Sequence, residues 1–377
     1  MRVLTVFGTR PEAVKMAPVV KKLASTPGIE ARVCITAQHR QMLDQVLHLF
    51  QIQPDYDLNL MRNEQTLAQL SADIFTHLDP VLTDFSPDWV LAQGDTTTVA
   101  ITSLLCYYRR IKFGHVEAGL RTHNKWAPFP EEVNRRIAGV IADLHFAPTE
   151  WSKKNLLHEG VDEGIIKVTG NTVIDALQFV NKQPEPDEIK TLLEKNGTSK
   201  NSLHVSRRLV LVTAHRRENF GKPMENICQA LIELAKRGDV EIVYPVHLNP
   251  NVQEPVNRLL KGVDHINLLP PLDYLPLVHL MKHAHIILTD SGGIQEEAPA
   301  FGIPTLVLRD VTERPEGVEA GTLKLAGTET AQITFEANRL LDDPSAYKAM
   351  SFAANPYGDG QAAEKILREI LQNRENL

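Results

Sequence analysis

Cysteine is scarce in this chain, and long apolar runs are missing from it. Its 377 residues include three cysteines, Cys34, Cys106 and Cys228, which lie far apart in apolar surroundings. An odd number of widely spaced cysteines provides neither a disulfide framework nor the spacing of a zinc site, and it is typical of a reducing compartment. No apolar run approaches the roughly 20 residues that span a bilayer, and the first residues reach Gly8 and Arg10 too early for a signal peptide. We therefore expect a soluble cytoplasmic protein with no membrane partner.

Positive charge is not in excess either. The formal net charge of -7 argues against a general nucleic-acid binder, although it leaves room for a local basic pocket. Repeats and low-complexity tracts are absent from the sequence. A hydrophobic fraction of 43% and a charged fraction of 23% are ordinary for a soluble globular protein. Since 377 residues exceed the size of one typical core, two domains are expected.

Apolar segments of strand length alternate with amphipathic helical segments along the chain. The run from Val3 to Phe7 predicts a buried strand, the stretch from Glu12 to Leu23 predicts a helix, and a second alternating series begins at Leu209. This α/β alternation predicts two Rossmann-like domains with doubly wound parallel sheets, facing each other across a cleft. We place the first domain at residues 1–171, a boundary region at 172–206 and the second domain at 207–358. A last helix at about 359–377 is able to pack back on the first domain.

One stretch has the pattern of a phosphate-binding turn. An apolar strand, Ile286 to Thr289, leads into Ser291, Gly292 and Gly293 at the predicted start of a helix. Backbone N–H groups at a helix N-terminus attract anions, and glycine lets the backbone approach them closely. The Glu296 carboxylate, about one turn further on, could accept hydrogen bonds from a ribose. An ordinary strand-to-helix turn is the alternative explanation.

Acidic side chains follow two predicted strands of the first half. Asp95 comes after the strand that ends near Ala92, and Glu117 comes after the strand from Lys112 to Val116. Ligands bind outside the carboxyl ends of parallel strands, so both positions are candidates for acid/base chemistry. A structural role as a helix cap is the alternative. The pair Glu131-Glu132 opens a helix, where carboxylates also simply suit the helix dipole.

Basic side chains occupy other strand ends. Arg10 and Lys15 flank the start of the first helix, and His215 follows a strand of the second half together with two arginines. These groups could face an anionic ligand. Solvent-exposed basic residues and an ordinary structural histidine are the alternatives.

Six motifs together resemble a known family. The chain is similar to bacterial non-hydrolysing UDP-N-acetylglucosamine 2-epimerases from Met1 past Gly360, and six motifs in the right order are far more specific than one glycine turn. The motifs are Phe7-Gly8-Thr9-Arg10-Pro11-Glu12, Gly94-Asp95-Thr96-Thr97-Thr98, His115-Val116-Glu117-Ala118-Gly119-Leu120-Arg121, Thr213-Ala214-His215-Arg216-Arg217-Glu218, Thr289 to Pro299, and Asn355-Pro356-Tyr357-Gly358-Asp359-Gly360.

The resemblance implies a fold and an activity. The family has the GT-B fold, two Rossmann domains with the site between them, and it forms homodimers. It interconverts UDP-N-acetylglucosamine and UDP-N-acetylmannosamine without NAD or an essential metal. The implied route is anti elimination of UDP to a 2-acetamidoglucal, followed by syn re-addition. Which polysaccharide pathway, such as capsule synthesis, uses the product is left open.

The resemblance also implies roles for individual residues. The catalytic set is Asp95, Glu117, Glu131 and His215, with His215 near the diphosphate. The set that binds UDP and the substrate is Arg10, Lys15, Arg135, Ser291, Gly292, Gly293 and Glu296. Some members bind a second UDP-N-acetylglucosamine as an activator, and the residues that match that site are Gln38, Gln41, Arg217 and His247.

Two positions depart from the family pattern. The residue before Gly94 is commonly histidine in this family, and Gln93 in this chain cannot titrate. An arginine of the activator site is replaced by Glu64, which would repel a diphosphate. Three alternatives remain for the function: a hydrolysing relative that releases N-acetylmannosamine and UDP, a GT-B glycosyltransferase, and a non-catalytic sensor of nucleotide sugars.

Overall fold

The chain forms two compact units. The computed structural model of the protein describes residues 1–37, 40–62, 64–198 and 207–373, with the side chains of all of these except residues 40 and 41. The first unit holds Met1–Gln178 together with the chain from Tyr357 onward, and the second holds Phe179–Pro356. The division at Gln178 falls within a helix, Thr172–Asn181, of the region from 172 to 206.

A parallel sheet forms the centre of the first unit. Its strands are β1 (Arg2–Phe7), β2 (Glu30–Ile35), β3 (Tyr56–Asp57), β4 (Trp89–Gln93), β5 (Lys112–Val116), β6 (Leu144–Ala147) and β7 (Ile166–Val168). In the described part of the chain their order is β3-β2-β1-β4-β5-β6-β7, and every neighbouring pair is parallel. The helices are α1 (Arg10–Ala24), α2 (Arg40–Leu49), α3 (Leu67–Phe85), α4 (Thr97–Arg109), α5 (Glu131–Ile141), α6 (Glu150–His158) and α7 (Thr172–Asn181).

The second unit repeats this plan. Its strands are β8 (Arg208–Thr213), β9 (Val240–Pro245), β10 (Ile266–Leu269), β11 (Ile286–Thr289), β12 (Thr305–Val307) and β13 (Leu323–Leu325). Their order is β10-β9-β8-β11-β12-β13, again parallel throughout the described residues. The helices are α8 (Asp187–Lys195), α9 (Lys222–Ala235), α10 (Pro250–Leu260), α11 (Tyr274–His283), α12 (Gly292–Glu297), α13 (Pro315–Glu319), α14 (Thr330–Asp342) and α15 (Pro344–Ser351).

The last described helix, α16 (Ala362–Gln372), belongs to the first unit. It packs against α1, where Lys22 and Glu364 form an ion pair. The carboxylate of Asp175 in α7 accepts hydrogen bonds from the backbone N–H groups of Ala362 (3.1 Å) and Ala363 (2.9 Å). These contacts satisfy the free N–H groups at the start of α16 and tie the end of the described chain to α1 and α7.

The residues of β1 show why the sheets are covered on both sides. Val3, Leu4, Val6 and Phe7 are consecutive or nearly so, and all are fully buried. Side chains alternate between the two faces of a strand, so burial of neighbours requires helices on both faces. The prediction of two α/β domains with parallel sheets is confirmed. Among the described helices, none combines the length and the apolar character that crossing a membrane requires.

Each sheet has one point at which the strand order reverses. In the first sheet this switch point lies between β1 and β4, and in the second it lies between β8 and β11. Ligands of doubly wound sheets bind at such points, at the carboxyl ends of the strands. The turns that leave these strands, residues 8–10 and 94–96 in one unit and 214–217 and 290–293 in the other, are therefore where the site residues are expected.

Candidate active site

A buried carboxylate joins the two turns at the switch point of the first sheet. One oxygen of Glu12 accepts hydrogen bonds from the backbone N–H groups of Gly8 (3.0 Å) and Thr9 (2.7 Å). The other accepts one from the hydroxyl of Thr96 (2.7 Å), which caps α4 in the turn after β4. Glu12 is 2% exposed, and burial raises its pKa although these hydrogen bonds oppose the rise. The turn that carries Arg10 is thereby held against the turn that carries Asp95.

Replacing Glu12 should loosen both turns. We expect Glu12→Ala to lower the free energy of unfolding by about 2 kcal/mol, because a capping interaction is lost and buried N–H groups lose their acceptor. Glu12→Gln should cost less than half of that, because its amide oxygen still accepts from Gly8 and Thr9. Urea unfolding of the three proteins measures both values. Equal stability of Glu12→Ala and the wild type would contradict this role.

The pH dependence of the Glu12 contribution has a definite sign. The pKa of Glu12 is raised above the ordinary value of 4.5 in the folded protein. Its contribution is therefore fully present below pH 4.5 and is lost as the pH rises through the folded pKa. We expect the wild type to lose stability relative to Glu12→Gln between pH 5 and pH 7.5, as measured by urea unfolding at both values.

Three donors converge on Glu117 at the end of β5. Lys15 of α1 forms an ion pair with it, and the Gln93 side chain donates a hydrogen bond to its other oxygen. Asn171, after β7, donates from its amide at 3.0 Å. Glu117 is 8% exposed. The structure therefore places Lys15, assigned by resemblance to the UDP-binding set, against a predicted acid/base carboxylate.

The backbone of Glu117 is itself unusual. Its φ of 63° lies in the left-handed region, which costs a residue with a side chain about 1–2 kcal/mol. Such conformations persist where the surroundings hold them, and they cluster at functional sites. Here the Gly94 N–H donates a hydrogen bond to the carbonyl oxygen of Val116 (3.0 Å). The residue before Asp95 and the residue before Glu117 are therefore hydrogen-bonded to each other.

Two side chains of helix α5 contact Asp95. The Arg135 guanidinium forms an ion pair with the Asp95 carboxylate at 2.6 Å, and the Asn134 amide donates to the Asp95 carbonyl at 2.9 Å. The Asp95 side chain is 23% exposed, whereas that of Arg135 is 8% exposed. Asp95 thus keeps one side toward solvent while its orientation is set by buried groups.

The two acidic residues that begin α5 differ in their surroundings. Glu132 is 2% exposed and accepts hydrogen bonds from the backbone N–H groups of Thr122 and His123, both at 3.1 Å. It also pairs with Arg135 at 3.0 Å. Glu132 therefore orders the preceding loop, while Glu131, half-buried, lies one helical turn before the arginine that holds Asp95.

A neutral histidine, His115, contacts the turn that carries Gly94 and Asp95. The Nε2 atom of His115 lies 2.7 Å from the carbonyl oxygen of Gly94. Burial lowers the pKa of His115 to about 4, against the opposing effect of that hydrogen bond. The ring is therefore uncharged at neutral pH, and its Nε2–H donates to Gly94. His115 stabilises the Gly94-Asp95 turn without bringing another charge to it.

A second buried carboxylate joins the two turns of the second unit. One oxygen of Asp290 accepts hydrogen bonds from the backbone N–H groups of His215 and Arg216 at 2.8 Å and from the Asn219 amide at 2.9 Å. Asp290 is fully buried. The His215 ring stacks on His247, with 5.2 Å between ring centroids. The turn after β8 is thereby held against the turn after β11, as Glu12 holds the corresponding turns of the first unit.

Ser291 and the glycines lie at the start of α12, as predicted. The Ser291 hydroxyl makes no capping hydrogen bond to the helix, and its backbone N–H donates to Thr289 at 2.9 Å. A Cβ atom on Gly292 would lie 2.9 Å from the Arg314 guanidinium carbon. Only glycine at this position therefore lets Arg314 approach the backbone of the turn.

Glu296 of this helix is 1% exposed and pairs with Arg314. Its carboxylate accepts hydrogen bonds from Arg314 Nε at 3.0 Å and from Nη2 at 2.8 Å. Arg314 also pairs with Glu313 at 2.8 Å. Sequence reasoning did not single out Arg314, which lies in a charged loop with no motif of its own. Sequence reasoning also missed Asn171, Asp290 and Glu12. The first two follow strands, so the rule that ligands bind at the carboxyl ends of parallel strands could have found them.

The residues that match the activator site are only partly described. Gln38 and the side chain of Gln41 lie outside the described residues. Arg217 and His247 are exposed, and His247 contacts His215.

Metal ligands are not grouped in the described part of the chain. No cluster of three or more His, Cys, Asp or Glu side chains in those residues is placed to hold an ion. Cys34, Cys106 and Cys228 are buried free thiols. Burial raises the pKa of each, that of Cys228 to about 12, so all three stay protonated at neutral pH.

Known proteins match the chain over its whole length. The family model for UDP-N-acetylglucosamine 2-epimerase matches residues 21–371. The chain is 55% identical to the UDP-N-acetylglucosamine 2-epimerase of Escherichia coli K12 over 379 residues, which covers 100% of both chains. It is 50% identical, with a TM-score of 0.89, to the Neisseria meningitidis UDP-GlcNAc 2-epimerase bound to UDP-GlcNAc, covering 99% of this chain and 100% of that one.

A more distant structure has the same architecture. The Methanocaldococcus jannaschii UDP-GlcNAc 2-epimerase in complex with UDP-GlcNAc and UDP is 32% identical, with a TM-score of 0.80, covering 99% of this chain and 100% of that one. The predicted fold class, two doubly wound domains of the GT-B type, is confirmed by these similarities. The chain belongs to the UDP-N-acetylglucosamine 2-epimerase family.

Proposed function

We propose that this protein is an isomerase that interconverts UDP-N-acetylglucosamine and UDP-N-acetylmannosamine by inverting carbon 2. Family membership supports the reaction. The observation that carries the chemistry is the set of carboxylates at neighbouring strand ends of the first unit. There Glu117 is held by Lys15, Gln93 and Asn171, and Asp95 is held by Arg135.

The chemistry of the substrate explains why several carboxylates are needed. The proton on carbon 2 is not adjacent to a carbonyl, so direct abstraction would be very slow. Departure of UDP gives carbon 1 oxocarbenium character and makes that proton acidic. A carboxylate can then remove it, and inversion requires that protons are handled on both faces of the sugar. Asp95, Glu117 and Glu131 are the proposed acid/base groups, in an elimination to 2-acetamidoglucal followed by re-addition of UDP.

The leaving diphosphate requires positive charge and N–H donors. We propose that Ser291, Gly292 and Gly293 bind it at the start of α12, and that Glu296 binds the ribose. The family resemblance adds Arg10, Arg135 and His215 to the proposed sources of positive charge. Lys15 contacts Glu117, so we propose that it acts on that carboxylate in addition to the substrate.

An incubation with UDP-N-acetylglucosamine in deuterated water tests the proposed reaction. We expect UDP-N-acetylmannosamine that carries deuterium at carbon 2, read by proton NMR. Release of free N-acetylmannosamine with UDP would instead identify a hydrolysing enzyme. Turnover that requires an added acceptor would indicate a glycosyltransferase, and binding without turnover would indicate a sensor.

We also propose a homodimer that uses the outer face of α5. Val133, Ile137, Val140 and Ile141 follow a helical spacing along this face. Val140 is 88% exposed and Val133 is 40% exposed, an unusual cost for apolar side chains unless another surface covers them. A second copy of the chain is the proposed occupant, in line with the family resemblance.

Replacing Val140 by aspartate should weaken this dimer. We expect the wild type to have the mass of two chains and Val140→Asp to have the mass of one at micromolar concentration, by light scattering, because a charge would be buried in an apolar contact. Val311→Asp, at a position of the second unit that is 73% exposed, is the matched control and should stay dimeric. A dimeric Val140→Asp protein would remove α5 from the interface.

Activation by a second UDP-N-acetylglucosamine is a further proposal. It is supported by Arg217 and His247 at matching positions and by the Methanocaldococcus jannaschii relative, whose structure is in complex with both UDP-GlcNAc and UDP. Glu64, exposed in this chain, argues against an arginine-like contact there. Prompt turnover of UDP-N-acetylmannosamine alone would contradict an obligatory activator.

We place the enzyme in the cytoplasm, which its three free thiols support, and cell fractionation tests this.

A further inference from the structure

The two oxygens of the buried Asp290 carboxylate differ in their surroundings. Oδ2 accepts three hydrogen bonds from the segment after β8, whereas Oδ1 has no hydrogen-bond partner among the residues that the structure describes. The Nδ1 atom of His215 lies 3.7 Å from Oδ1. A buried carboxylate oxygen without a donor is costly. This oxygen lies at a switch point, beside the His215 ring, and is therefore placed to accept a hydrogen bond from a donor there.

The orientation of the His215 ring fits that donor. Because Nδ1 faces Asp290, Nε2 lies on the opposite side of the ring. The His215 side chain is 35% exposed, while that of Asp290 is fully buried. The distance of 3.7 Å between Nδ1 and Oδ1 is slightly longer than that of a hydrogen bond. The hydrogen bond made by one ring nitrogen determines what the other can do.

Charges around His215 favour a neutral ring without a ligand. Burial lowers the pKa of His215, and nearby His247 and Arg216 lower it further, while Asp290 opposes them. His247 comes from the turn after β9, and its Nδ1 accepts a hydrogen bond from the Asn249 backbone N–H at 3.1 Å. An arriving diphosphate would add negative charge on the side away from Asp290, which reverses this balance.

We propose that Asp290 makes His215 take up a proton when the UDP moiety binds. The resulting imidazolium donates Nδ1–H to Asp290 Oδ1 and Nε2–H to a diphosphate oxygen. The proton comes from solvent, no covalent bond to the ligand changes, and one positive charge is added beside the leaving group. Asp290 is a positioning residue in this arrangement, since it acts through His215. The inference rests on the proposed function, because it takes UDP as the ligand of this turn.

Proton uptake during UDP binding tests the proposal. Calorimetric titration with UDP at pH 7.5, in buffers of different ionisation enthalpy, gives the number of protons bound. We expect the wild type to take up a measurable fraction of one proton more than His215→Gln, which cannot titrate. Asp290→Asn should lose this difference and bind UDP about tenfold more weakly. Its amide oxygen can still accept from the His215 and Arg216 N–H groups, so the turn is kept. Its NH₂ group would face Nδ1 and, as a donor, would favour the neutral ring.

Asn219→Ala is the matched control for the geometry of the turn. It removes one donor to Asp290 Oδ2 and leaves the carboxylate charge, so proton uptake should persist. Uptake by Asp290→Asn equal to that of the wild type would overturn the proposal. Equal loss in Asn219→Ala would also overturn it, because the shape of the turn and not the carboxylate would then be responsible. If Asp290→Asn does not fold, identical uptake by the wild type and His215→Gln still overturns it.

The two hypotheses fail separately. Wild-type protein that shows the His215-dependent uptake with UDP but does not turn over UDP-N-acetylglucosamine would refute the proposed function and keep the inference. Wild-type protein that turns over the substrate without that uptake would refute the inference alone.

Discussion

Replacing Glu117 by glutamine should lower kcat by about two orders of magnitude or more. Glutamine keeps the size of the side chain but cannot accept a proton, and proton transfer by a placed carboxylate contributes about 10²–10⁴-fold. The three donors around it, Lys15, Gln93 and Asn171, would then face an amide. Steady-state rates with UDP-N-acetylglucosamine measure the loss. UDP affinity should change little, since the turns that are proposed to bind the diphosphate are untouched.

A matched substitution separates this effect from a general loss of charge. Glu163→Gln removes a carboxylate whose side chain is 70% exposed and paired with Lys153, and its activity should equal that of the wild type. Asp95→Asn and Glu131→Gln should each slow turnover as Glu117→Gln does. Near-normal kcat in any of the three would remove that residue from the acid/base set. Solvent deuterium exchange at carbon 2 should fall in parallel with kcat.

Replacing Arg314 by methionine should lower the free energy of unfolding by about 3–5 kcal/mol. Arg314 and Glu296 form a buried pair, with side chains that are 10% and 2% exposed. Replacing the arginine removes the two hydrogen bonds that it donates to the buried Glu296 carboxylate, together with its positive charge. Urea unfolding followed by far-ultraviolet circular dichroism measures the loss. The double variant Arg314→Met/Glu296→Gln should recover much of it, because the buried negative charge that faced Arg314 is also removed.

Arg339→Met is the control for this prediction. Arg339 pairs with Glu336 at 3.5 Å, and its own side chain is 45% exposed, whereas that of Glu336 is 5% exposed and also pairs with Lys324 at 2.7 Å. Because the buried carboxylate keeps Lys324, losing this half-exposed arginine should cost about 0–1 kcal/mol. A loss in Arg314→Met no larger than that in Arg339→Met would show that the buried pair does not stabilise the second unit.

Most of the fold could be predicted from local patterns. Strands such as β1 and β5 are short apolar runs that end in turn residues, and the helices between them carry caps such as Thr9, Thr66 and Thr96. These signals lie within a few residues of each other, so periodicity and turn chemistry are sufficient to find them. The parallel arrangement followed from the alternation of the two element types.

The candidate site divides along a different line. Asp95, Glu117 and Ser291 could be found because each follows a strand, which is a property of the sequence. Their partners could not. Lys15 and Glu117 are 102 residues apart in the chain, and Gly292 gave no sign that a guanidinium packs on it.

By itself the sequence determined two parallel-sheet domains, the strand ends that carry polar groups, and the motifs of the family. Only the tertiary structure decided how each acidic group is used. Glu131 and Glu132 are identical in type and adjacent in sequence. Yet the Glu132 carboxylate accepts hydrogen bonds from the Thr122 and His123 backbone N–H groups and pairs with Arg135. Likewise, Glu12 and Asp290 became visible as the carboxylates that join the turns at each switch point. Local patterns determine backbone conformation, whereas the partners of a carboxylate come from distant segments that only folding brings into contact.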